Sequence, residues 1–257
     1  MAAQIFDFEG PKGYRLSGRL SEPETALRGW AIFAHCFTCG KDSLAATRLT
    51  KALAEHGVGV LRFDFAGLGA SGGVFGDSSF AADVNDLIAA GKAMTAAGKE
   101  PSLLIGHSLG GAASLMAAGD LPSIRGVVTI GAPYDVAHVL RLFDPKGLEK
   151  VEAEGEAEVQ LGGRPFVVRK SLVEGLRQHD LRSRIAELHR PLLVMHAPGD
   201  DTVDVSSAAH IFAAARHPKS FISLDDADHL LTRRADADYV AALITAWATR
   251  YLPMEGN

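Results

Sequence analysis

The sequence predicts an α/β fold: a doubly wound, mainly parallel sheet of the eight-stranded type, with helices on both faces and a small insertion. Three observations carry that expectation. Short apolar runs alternate with helix-patterned stretches along most of the chain. Several of those runs are apolar throughout, as strands covered on both faces are. One of them passes through a glycine-flanked serine straight into a helical stretch.

The elements follow in order. Residues 4–8 and 13–20 alternate apolar and polar side chains around a Gly-Pro-Lys-Gly break, the pattern of a β-hairpin. Residues 30–34 form a short apolar run suited to a buried strand. Lys41-Asp42-Ser43 offers a helix N-cap, and the helical stretch behind it runs to about His56 and is closed by Gly57. Residues 58–63 (VGVLRF) form the next strand. Beyond Ser79, a second cap, the residues Phe80, Val84, Leu87, Ile88 and Gly91 recur at helical spacing. A strand over 102–105, a small-residue helix over 109–118 and a strand over 126–130 come next. After an interruption, 191–196 is a strand, 206–215 a helix and 220–224 a strand. The last helix places Val240, Leu243, Ile244, Trp247 and Tyr251 on one face. Strands alternating with helices argue for βαβ units.

The interruption spans 134–190, dividing a core of 1–133 and 191–257. It is more charged than its surroundings (LEKVEAEGEAEV) and contains an expected hairpin over 158–168, turning at Gly162-Gly163. A solvated surface excursion would account for the charge. Long insertions in compact domains are often functional, so a lid is the expectation.

Composition narrows the partners. With 26 Lys and Arg against 31 Asp and Glu, the net charge is −5 and no long basic run appears. Nucleic acid and anionic membrane surfaces are therefore not expected partners. No apolar run reaches the roughly 18 residues of a membrane span. The opening MAAQIFDFEGPKG lacks a basic segment followed by an apolar stretch, so the expected location is the cytoplasm. Two cysteines do not make a disulfide framework.

The chemistry centres on SLLIGHSLGGAA. A strand runs into Gly106-His107-Ser108-Leu109-Gly110 and a helix follows at once. Such a sharp turn strains the serine, and only neighbours without a Cβ let it close. It would lift the Ser108 hydroxyl clear of the sheet at a helix N-terminus, where the Leu109 amide can face a developing oxyanion. Ser108 is thus the expected nucleophile, and it needs a base. Of ten histidines, His229 lies just past the last strand and before the last helix, where the order Ser, acid, His puts the base. His107 neighbours Ser108 in the turn and points the wrong way. His56, His179, His189, His210 and His217 read as helix or surface residues.

The acid that orients the base should follow the penultimate strand, in His196-Ala197-Pro198-Gly199-Asp200-Asp201-Thr202-Val203-Asp204. Asp200 and Asp201 are both candidates, and Asp200 is preferred on loop geometry. Asp204 looks like a helix cap. Asp135 is an outside alternative that can also cap the start of the insertion. The second oxyanion amide should come from the loop after residues 30–34, where Phe37 is the choice and Cys36 its competitor.

Together these residues resemble the α/β-hydrolase superfamily over nearly the whole chain. His35-Cys36-Phe37 is similar to the family's His-Gly-x oxyanion stretch, with Cys36 where glycine is usual. Arg62 to Ser71 (RFDFAGLGAS) resembles a strand-end motif whose aspartate, here Asp64, orders loops rather than reacts. In the family the acid lies four residues beyond His196, which again selects Asp200. More narrowly, AHCFTCGKD, GHSLGGAA and HPKSF…DADHLLT resemble the hydrolase half of bacterial fusions to an osmotically inducible, hydroperoxide-reducing domain. That second domain is expected to be absent, since the chain stops soon after the last helix. Cys36-Phe37-Thr38-Cys39 is also a C-x-x-C, which can be redox-active or bind metal. In an oxyanion loop the expectation is instead two small buried side chains.

The resemblance implies a serine hydrolase of ester or thioester bonds of small to medium acyl substrates, with no cofactor and no metal. Its partner would be a small-molecule acyl substrate. A peptidase of the same mechanism and a non-catalytic binding module are the alternatives.

Overall fold

Strands that are apolar on both faces must be covered on both, and this requirement organises the molecule. The computed structural model describes residues 3–161 and 163–252. Its strands are β1 (Gln4–Ile5), β2 (Phe8–Glu9), β3 (Arg15–Leu16), β4 (Gly18–Ser21), β5 (Gly29–Ala34), β6 (Val58–Phe63), β7 (Pro101–His107), β8 (Gly126–Ile130), β9 (Glu156–Leu161), β10 (Arg164–Arg169), β11 (Leu192–His196) and β12 (Lys219–Ser223). The helices are α1 (Leu44–Glu55), α2 (Phe80–Ala96), α3 (Leu109–Ala117), α4 (Pro145–Glu154), α5 (Lys170–Arg177), α6 (Leu181–Ala186), α7 (Ser206–Ala214) and α8 (Arg234–Ala248). The central sheet has 8 strands in the order β1-β4-β6-β5-β7-β8-β11-β12. From β6 to β12 every pairing is parallel, and β1 and β4 close one edge with antiparallel pairings. The expected N-terminal hairpin is split: β2 pairs with β3, while β1 pairs with β4.

The alternation of side chains sorts the core into two layers. Ala31, Phe33, Val60, Leu103, Ile105, Val128 and Ile130 face α1 and α8. Ile32, Ala34, Leu61, Phe63, Leu104 and Val127 face the other layer, which α2, α3 and α7 cover. Helix starts follow local chemistry. Ser43 Oγ accepts from the Ala46 amide and Ser79 Oγ from the Ala82 amide. Asp204 sits one position further out than expected, since Val205 is the N-cap residue while Asp204 Oδ1 accepts from the Ser206 amide. Tyr251 lies past the end of α8, where its ring packs on Trp247.

The segment 134–190 folds outside the sheet as a 3-10 turn, α4, the β9–β10 hairpin, α5 and α6. The hairpin pairs Leu161 with Arg164 across its turn, and Gly162 falls outside the described residues. Val136, Val139, Phe143, Val159, Leu172 and Val173 from this segment join the α2–α3 layer, so its apolar face is continuous with the main core.

Asp64, at the end of β6, is buried and receives the Lys41 and Ala70 amides and the Lys41 ammonium at 2.6 Å. Burial pushes its carboxyl up, but the Lys41 ammonium and the two amides outweigh that and hold it below the usual carboxylate range. A lowered carboxyl stabilises the fold above its unfolded value, and the contribution is lost as pH falls through the folded value. Asp64→Asn leaves the buried Lys41 with only the exposed Asp42 carboxylate, 3.7 Å away, and should cost about 3 kcal/mol at neutral pH. The gap to wild type in denaturant midpoint should narrow by pH 3; an equal gap at both pH values would contradict this account.

Candidate active site

β7 and α3 meet at Ser108, whose φ of 54° and ψ of −124° lie in a region a side chain rarely adopts. The surroundings enforce it. A Cβ on Gly106 would come within 2.2 Å of the Gly110 carbonyl oxygen, and one on Gly110 within 2.3 Å of the Ala34 carbonyl oxygen. The Ser108 amide donates to the Ile130 carbonyl at 2.8 Å, tying the turn to β8. The Leu109 amide opens α3 and has no carbonyl partner within the helix. Ser108 Oγ makes no hydrogen bond among the described residues and faces a cleft of about 480 Å³ that His229 also lines.

His229 sits in the loop between β12 and α8. Its Nδ1 lies 2.7 Å from Asp200 Oδ2. Asp200 Oδ1 accepts from the Thr202 and Val203 amides, each at 2.9 Å. Burial pushes the Asp200 carboxyl up, but the His229 bond and these two amides outweigh it and keep the group below its ordinary value. An ionised Asp200 only accepts, so His229 carries its proton on Nδ1 and leaves Nε2 with a free lone pair. Asp201, the other candidate, is exposed and accepts from the Thr202 hydroxyl. Asp135 caps the turn at the start of the insertion by accepting from the Ala137 amide. Gly131 lies under the pair, where a Cβ would sit 3.3 Å from both Asp200 Oδ2 and His229 Nδ1.

The loop after β5 is oriented by His35. Burial lowers the pKa of this ring and keeps it neutral. Its Nε2 accepts from the Phe65 amide and its Nδ1–H donates to the Cys36 carbonyl at 2.8 Å, which the Cys39 amide also reaches. In a trans peptide the C=O and N–H point opposite ways, so holding the Cys36 carbonyl turns the Phe37 amide away from His35. Thr38 follows at φ 57°. Cys36 and Cys39 are joined as a disulfide, correcting the expectation of two separate buried side chains. The tight turn sets their Cα atoms 5.3 Å apart, within bridging range.

Three further histidines brace these loops. His107, which burial lowers to about 4 and so keeps neutral, donates from Nε2 to the His229 carbonyl at 2.6 Å. His196 Nε2 donates to the Val203 carbonyl, and His138 Nε2 reaches the Thr202 carbonyl from the insertion. From the sequence, His107 is expected to point the wrong way for a base. Its position inside the elbow, directly behind the loop that must follow β12, was the available signal. His138 had none.

The family model described as Serine aminopeptidase, S33, matches residues 31–155. No match was found among curated proteins. Among solved structures, the chain is 44% identical to the esterase domain of a Rhodothermus marinus protein, covering 98% of this chain and 100% of that one at a TM-score of 0.79. Est1E from Butyrivibrio proteoclasticus, solved with ferulic acid, is 18% identical with a TM-score of 0.81, covering 96% and 98% of the two chains. An α/β serine hydrolase without lid from Xanthomonas campestris is 19% identical with a TM-score of 0.69, covering 100% and 98%. The parallel sheet and these similarities define a hydrolase of the α/β class. The chain belongs to the α/β-hydrolase superfamily. Among the described residues no helix is long and apolar enough to cross a membrane.

Proposed function

We propose that this chain is a serine hydrolase cleaving carboxylic ester or thioester bonds of small to medium acyl substrates, with Ser108, His229 and Asp200 as its triad. The observation that carries the reading is the strained Ser108 facing one cleft with an Asp200-paired His229. His229 Nε2 takes the proton as Ser108 Oγ attacks the carbonyl carbon, and the Phe37 and Leu109 amides receive the oxyanion. The protonated His229 then gives its proton to the leaving alcohol or thiol. Water, deprotonated by His229, releases the acid from the acyl-enzyme. The chemistry calls for no cofactor or metal. The segment 134–190 serves as the lid, since Leu142, Leu161 and Arg164 from it line the cleft.

The esterase domain at 44% identity favours esters, whereas the description of the matching family model favours aminopeptidase substrates. A panel of nitrophenyl esters, an acyl thioester and aminoacyl nitroanilides separates them. We expect ester and thioester turnover to exceed anilide turnover by at least about a hundredfold. Anilide turnover equal to ester turnover would favour the peptidase. Turnover of none of these would favour a binding module that has kept the fold.

The Cys36–Cys39 bridge encloses the peptide that presents the Phe37 amide. In the cytoplasm, which we propose as the location, thiol pools would tend to keep the pair reduced. Reduction with dithiothreitol is expected to lower kcat by about tenfold, less than outright loss of an oxyanion donor. Comparing oxidised and reduced protein on one ester checks this. Unchanged kcat would mean that His35 alone holds the peptide.

A further inference from the structure

The cleft that Ser108 opens into is walled by Phe37, Leu142, Leu161 and Leu230. Among the described residues, Arg164 is the one in its lining with a permanent charge. It begins β10, beside the hairpin turn and across from Leu161. Its Nη2 donates to the Thr38 carbonyl in the loop that carries Phe37, and its guanidinium lies 5.4 Å from the centre of the Phe166 ring. Among the described residues no carboxylate pairs with it, in a chain of net charge −5. Arg169, at the far end of the same strand, is by contrast paired with both Glu156 and Asp77. A guanidinium has five N–H donors, and the Thr38 bond uses one of them.

A cation held from two sides, left without a counter-charge and set in the wall of an apolar cleft, is arranged to receive an anion. Fixing the side chain in advance lowers the ordering cost of binding. The planar fork also matches a carboxylate or phosphate in bidentate geometry. We infer that Arg164 determines specificity, and that the substrate is an ester or thioester carrying an anionic group on its acyl part or its leaving part. This rests on the serine hydrolase reading and narrows its substrate class. A purely structural role, in which Arg164 straps the hairpin to the loop after β5, makes a different prediction: it would affect charged and neutral substrates alike.

The test uses two pairs of isosteres. For an acyl-side anion, the 4-nitrophenyl half-ester of adipic acid is compared with 4-nitrophenyl hexanoate. For a leaving-side anion, the butyrate ester of 4-hydroxybenzoate is compared with that of 4-hydroxybenzamide. At low ionic strength, wild type should prefer the charged member of one pair by about tenfold in kcat/KM, mainly through KM, which is the scale of one charge-assisted contact. The pair that shows the preference identifies which side bears the anion. Arg164→Gln should bring that ratio close to one, Arg164→Lys should keep part of it, and Arg164→Glu should invert it. Wild-type ratios near one for both pairs would overturn the inference, as would a preference that persists in Arg164→Gln. Should wild type hydrolyse none of the four esters and fail to react with a fluorophosphonate, the hydrolase reading itself falls, and this inference with it. Turnover without charge preference sinks only the role of Arg164.

Discussion

Ser108→Ala is expected to lower kcat for an activated ester by on the order of 10⁴–10⁶-fold while leaving the protein folded. The substitution removes one oxygen, and Oγ has no hydrogen-bond partner among the described residues, so no buried group is orphaned. The backbone at φ 54° is imposed by β7, α3 and the Ser108–Ile130 bond, and alanine fits it as serine does. The denaturant midpoint should therefore stay within about 1 kcal/mol of wild type. Hydrolysis that survives in a folded Ser108→Ala protein would remove the serine from the chemistry.

Asp200→Asn is the second large effect, about 10⁴-fold in kcat, and it follows from the tautomer. The Thr202 and Val203 amides both donate to Oδ1, so the asparagine carbonyl oxygen will occupy that position. Its NH₂ then faces His229 Nδ1 and donates to it. That pushes the ring proton to Nε2, the nitrogen that takes the Ser108 proton in the proposed mechanism. Asp201→Asn, which alters an exposed side chain off the cleft, should change kcat less than about twofold. Steady-state rates of the two variants on one ester decide the matter. Equal losses at Asp200 and Asp201 would contradict the assignment of the acid.

Much of the architecture was legible because burial on two faces leaves unmistakable runs such as 58–63 and 102–105, and because serine caps announce α1 and α2. The elbow was legible because its glycines answer a steric demand that no other residue meets. Adjacent aspartates were harder. Asp200 and Asp201 have the same chemistry, and only the path of the loop decides which one reaches His229. Helices α4, α5 and α6 were hidden in the insertion, where one buried face is set in a highly charged background. The Cys36–Cys39 bridge depends on backbone closure between two residues, which spacing alone leaves open. The bracing role of His138 and the exposed charge of Arg164 arise only when the insertion folds back over the loops that follow β5 and β11.

The most direct test of the account is covalent. Wild type treated with a fluorophosphonate, digested and analysed by mass spectrometry should carry one adduct, on the peptide containing Ser108, with ester hydrolysis lost in proportion to labelling. Labelling should be absent in Ser108→Ala. An adduct on another residue, or full hydrolysis by unlabelled protein in excess reagent, would contradict a Ser108 acyl-enzyme.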